Sequence, residues 1–131
     1  MDKQAILAQI RQLEGQLAAK QSELAEAEKE KERIKKAIDQ LNNIISLANS
    51  ASGNSSGLSG AYATVFSANI ANSYAGSFDN LSQGYGTVSS LASGDLEYCN
   101  SELKKIEDKI RQLKEAIRNL RDQISALRSL L

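Results

Sequence analysis

The sequence predicts an all-α protein: a long antiparallel coiled-coil hairpin with a Ser/Gly/Asn-rich centre holding one or two short helices. Three observations carry that reading. Two arms repeat apolar residues in alternating steps of three and four. No stretch of either arm shows the period of two that a strand needs. Between them lies a segment with almost no charge. The 131 residues read as one domain in three parts, residues 1–48, 49–94 and 95–131.

The first arm runs from about Asp2 to Ala48. Its core series is Ile6, Ile10, Leu13, Leu17, Leu24, Ala27, Ile34, Ile38, Leu41, Ile45 and Ala48. Lys20 and Lys31 occupy the two missing core positions. A core lysine costs stability, helps fix register, and can lift its ammonium group to water. Between core positions stand mostly Gln, Glu, Lys, Arg and Ala, all good helix formers. The run EAEKEKERIKK, residues 26–36, reads as a solvated face laced with ion pairs one turn apart.

The second arm runs from about Asp95. Its series is Leu96, Cys99, Leu103, Ile106, Ile110, Leu113, Ile117, Leu120, Ile124, Leu127 and Leu131. Gly94-Asp95 is an entry signal, with Asp95 as N-cap. Val88 and Leu91 would join this arm if it began near Thr87. Folding one arm back on the other with Ile10 near Leu127 sets Lys20 opposite Ile117 and Lys31 opposite Ile106. An arm of about 45 residues is roughly 65–70 Å long. Leu7, Ile44, Leu47 and Leu130 fall off the single seam of such a hairpin. A partner protein or a homo-oligomer would cover them, though scattered exposed apolar residues are also ordinary.

The centre differs. Tyr aside, its only ionisable side chain between Asp39 and Asp95 is Asp79, and no Lys or Arg occurs between Lys36 and Lys104. Residues 49–60, NSASGNSSGLSG, read as a flexible loop. Tyr62, Phe66, Ile70, Tyr74 and Phe78 then recur every four residues, followed by Leu81, Tyr85, Val88 and Leu91. On a helix they form one drifting stripe. Ser, Gly and Asn are mediocre helix formers, so the expectation is a short helix over residues 58–73. A break at residues 74–77 and a second short helix or turn would follow. The segment reads either as a helical cap on the hairpin or as a docking surface built from the aromatic stripe and the Tyr74-Ala75-Gly76 step.

Composition narrows the function. With 16 basic and 16 acidic residues the net charge is zero, which argues against a nucleic-acid partner. There is no His and one Cys, so the usual zinc site cannot form. That cysteine, Cys99, reads as a small apolar core residue, with an intermolecular disulfide as the other reading. No glycine run continues into the Lys-Ser/Thr of a phosphate loop, and Gly84-Tyr85-Gly86 lacks the third glycine of a dinucleotide loop. The carboxylates fall on solvated positions, unlike the shielded ones of acid–base catalysis. No enzyme activity, cofactor or metal is expected. No signal peptide or stretch near the ~20 apolar residues of a membrane span is seen. The chain is expected to be cytoplasmic when made, and export without a cleaved signal stays open.

Two helical arms, this length and a central aromatic-x-Gly step together resemble the WXG superfamily of the Gram-positive type VII secretion pathway. The layout is similar to the small accessory proteins that accompany LXG toxins. Tyr74 and Gly76 stand where that family has Trp and Gly, with Phe78 and Leu81 as the apolar residues that follow. Tyr98 and Glu102 match the Tyr-x-x-x-Asp/Glu export element of such systems, although that element usually follows the second helix. The resemblance implies a non-enzymatic accessory chaperone or targeting factor that packs on the helical N-terminal domain of an LXG toxin, in some systems beside a second small accessory protein. Tyr62, Phe66, Tyr74, Gly76 and Phe78 are then candidate partner-binding residues. The alternative is a self-assembling structural coiled coil with no toxin partner.

Overall fold

The computed structural model describes the backbone of residues 2–65 and 68–131, and side chains outside residues 62–73. Two helices make the fold: α1, Lys3–Val65, and α2, Ala68–Arg128. They pack antiparallel in two compact units. Unit 1 joins Met1–Lys35 to Glu102–Leu131, and unit 2 is Lys36–Ser101.

In unit 1 the 3-4 series becomes the core. Ile6, Ile10 and Ile124 form one buried cluster, with Leu13, Leu17 and Leu127 against it. Ala27, Ile110 and Leu113 form another, flanked by Leu24 and Ile106. This is the expected register, with residues near 10 level with residues near 127. Each fully buried isoleucine or leucine contributes roughly 1.5–3 kcal/mol by leaving water, and the half-buried ones contribute less. Lys20 and Lys31 are half-buried. The Lys20 ammonium reaches Glu23 at 3.6 Å, so it escapes the seam by the route expected of a core lysine.

The start of α1 is capped by Asp2, whose Oδ1 accepts a 2.7 Å hydrogen bond from the Ala5 N–H. That removes one of the unpaired donors at a helix start. Arg128 sits in the last turn of α2, where a cation suits the helix dipole.

Unit 2 departs from the expected centre. Residues 49–60 are not a loop but the continuation of α1. Residues 74–77 are not a break but lie inside α2, so Tyr74-Ala75-Gly76 is helical and no turn. Asp95 is also inside α2 and caps nothing. The physical reason is register. The core spacing runs on from Leu41 and Ile45 through Ala48, Ser52, Ser55 and Ser59, with Ala48, Ser55 and Ser59 buried. On α2 it runs back from Leu96 through Ala92, Ser89, Tyr85, Ser82 and Phe78 to Ala75. Tertiary packing along this seam outweighs the weak helix propensity of Ser and Gly.

The unit 2 seam is closed by small side chains and hydroxyls. Ser52 Oγ lies 3.1 Å from the Ser82 carbonyl and 2.9 Å from Ser82 Oγ. Ser56 Oγ is 2.8 Å from the same hydroxyl. Ser59 Oγ donates to the Ala75 carbonyl at 3.3 Å. Among the described residues no buried side-chain polar atom lacks a partner.

Candidate interaction surface

Writing the seam as heptad positions a and d makes the flanks comparable. On α1, Ile10 and Ile45 are a, Ile6 and Ala48 are d. On α2, Ile110 and Ser82 are a, Leu113 and Ala92 are d. In an antiparallel pair the g positions of both helices share one side of the seam and the e positions share the other. Unit 1 shows this directly. Glu14 and Arg128, both e, meet at 2.6 Å across the pair. Gln9, Gln16 and Gln123, all g, line one shallow groove.

Both flanks of unit 1 are polar. Position g carries Gln9, Gln16, Glu23, Glu30, Lys109 and Gln123, and position e carries Glu14, Gln21, Glu28, Lys114, Arg121 and Arg128. Leu7, Ala116 and Leu130 interrupt them, and the two leucines are exposed. Several ion pairs sit one turn apart, such as Arg33–Glu30 at 3.2 Å and Arg111–Asp108 at 2.9 Å. At such exposure each is worth at most about 1 kcal/mol.

Unit 2 has one polar flank and one apolar flank. Its e positions include Asn42, Asn49, Ser56, Asp79, Gly86, Ser93 and Asn100. Its g positions include Ile44, Ala51, Leu58, Tyr74, Leu81 and Val88, and Leu47 and Leu91 extend them at c. The large residues of this flank are open to solvent: Leu47 is 70% exposed, Leu91 68%, Tyr74 52% and Leu81 49%. The core spacing places these side chains beside the seam, at g and c. The flank carries no charge from Ile44 to Leu58 or from Tyr74 to Leu91. Asp95 marks its edge.

The residues singled out from sequence separate here. Phe66 lies outside the described residues, and Tyr62 lies in α1 with its side chain outside them. Tyr74 stands on the apolar flank, and Phe78 is half-buried at a d position of the seam. Gly76 is a plain helical residue: a Cβ there would meet nothing within 4 Å. Tyr98 is exposed, while Glu102 is half-buried and pairs with Lys105 at 3.2 Å. Cys99 is a half-buried free thiol on the seam. Leu7, Ile44, Leu47 and Leu130 are off the seam and exposed, as their spacing required.

Sequence reasoning missed the seam of Ser52, Ser55, Ser59 and Ser82, and with it the division of the aromatic stripe between seam and flank. The signal was present in the unbroken 3-4 spacing beyond Ala48. Among the described residues no cluster of His, Cys, Asp or Glu could hold a metal ion. None of the helices there is long and apolar enough to cross a membrane. No family model, curated protein or solved structure matches the chain.

Proposed function

We propose that this chain is a non-enzymatic helix-packing protein, an accessory chaperone or targeting factor that docks on the helical N-terminal domain of a type VII secreted LXG toxin. The observation that carries the docking part is the apolar flank of unit 2. It spans both helices, is bare of charge and is exposed. Exposed apolar patches of that extent commonly mark interaction surfaces. Partner helices would lay an apolar stripe along it, in the manner of helix-in-groove recognition. The toxin class follows from the resemblance of the overall layout. The aromatic-Gly step no longer supports it as a turn, because it lies within α2. Tyr74 contributes instead as a side chain on the flank.

The test is co-expression of the full chain with the helical N-terminal domain of an LXG protein encoded beside it. A stable heteromer that Leu47→Glu or Leu81→Glu weakens more than about tenfold supports the reading. Absence of any complex with the unmutated chain overturns it. The second reading, a self-assembling coiled-coil subunit, rests on the same flank and needs no second protein.

A further inference from the structure

We propose that the apolar flank of unit 2 is an isologous interface with a second copy of this chain, two helical pairs closing into a four-helix bundle over residues 44–58 and 74–91. This rests on reading the flank as a docking surface and names its occupant in the protein alone.

Three features point to a copy. The first is extent. Ile44, Leu47, Leu58, Leu81, Val88 and Leu91 are all exposed and lie on one side of the seam. The contacts of Ser52 with Ser82 and of Ser59 with Ala75 set Ile44 about level with Leu91, and Leu47 with Val88. With Tyr74, they make seven large exposed side chains on one flank.

The second feature is charge. The flank has none between its ends, and Asp79, the one charge within the span, sits on the opposite flank. Two copies therefore meet without setting like charges against each other. A charged helix laid here would lose its water and find no counter-ion.

The third feature is relief. Large Leu47, Leu81 and Leu91 are interleaved with small Ala51, Ser77 and Gly84 at the g and c positions of the same flank. A self-complementary interface requires large and small side chains on one and the same surface. Unit 1 offers no such surface, since both its flanks are charged or amide-lined.

The experiment is sedimentation equilibrium on the purified full chain across a concentration series, at low and high salt, with helicity followed by circular dichroism. The expected result is a dimer whose dissociation constant is unchanged or lowered by salt. Leu81→Glu and Leu47→Glu should raise that constant more than about tenfold at unchanged helicity. Leu91→Ala, the milder change, should raise it less. Leu7→Glu, on unit 1, should leave it alone. A monomer at all concentrations overturns the proposal, as does a dimer indifferent to Leu47→Glu and Leu81→Glu. A monomer that still captures the toxin domain through Leu47 and Leu81 sinks self-pairing and leaves the toxin reading standing. A dimer of the expected kind that captures no such domain does the reverse.

Discussion

Units 1 and 2 use the same pair of helices and the same 3-4 repeat, yet they distribute apolar surface in opposite ways. Unit 1 puts Ile and Leu at a and d and polar residues at e and g. Its large side chains meet each other, and its flanks are content in water. Unit 2 puts Ala and Ser on much of the seam and displaces Leu, Ile, Val and Tyr to one flank. The comparison teaches that periodicity sets where the seam runs, while side-chain volume sets how much apolar surface the seam can keep. Apolar residues that the spacing leaves off the seam stand on the flank, and that surface is then available to another molecule.

Breaking unit 1 should give the largest effect on stability. Ile124 is buried in its first cluster. Ile124→Ala should cost about 2–5 kcal/mol, from lost burial and the cavity left behind. Chemical denaturation followed by circular dichroism measures it. A loss below about 1 kcal/mol would mean that unit 1 is held by something other than its core.

A smaller loss is expected from enlarging the unit 2 seam. Ser55 is buried where the helices meet. Ser55→Leu should destabilise by about 1–3 kcal/mol through overpacking. A stabilised variant would show that the seam tolerates bulk, and the contrast between the units would fail.

The smallest effect has the opposite sign. Gly57 and Gly84 lie inside helices, and a Cβ at either would meet nothing within 4 Å. Gly57→Ala and Gly84→Ala should each raise stability by up to about 1 kcal/mol in the monomer. If Gly84 is a hole in a homotypic interface, Gly84→Ala should also weaken self-association while Gly57→Ala, away from the flank, does not. Paired melting and sedimentation experiments separate the two effects.

Much of the fold was legible because heptad spacing is a geometric signal. It sets Ile10 near Leu127. It also marked Leu7, Ile44, Leu47 and Leu130 as off the seam. In the centre, local propensity and register point in opposite directions. Gly and Ser over residues 49–60 suggested a loop, and Gly76 suggested a turn. Yet Ala48, Ser52, Ser55 and Ser59 keep the core spacing. The Asp2 cap was equally local but stood a residue before the first helical turn, where the heptads say nothing.

The sequence by itself determined that the chain is helical and that its ends pair as a coiled coil, because apolar periodicity and charge placement are properties of the chain. The same residues settled that no histidine is available to any site. Only the tertiary structure decided which face of the low-charge centre is buried. Two stripes compete there, one of small residues and one of large. The small one lies on the seam, where hydroxyls reach across from Ser52 and Ser59. That choice leaves the large stripe in water, and the candidate interaction surface is its consequence.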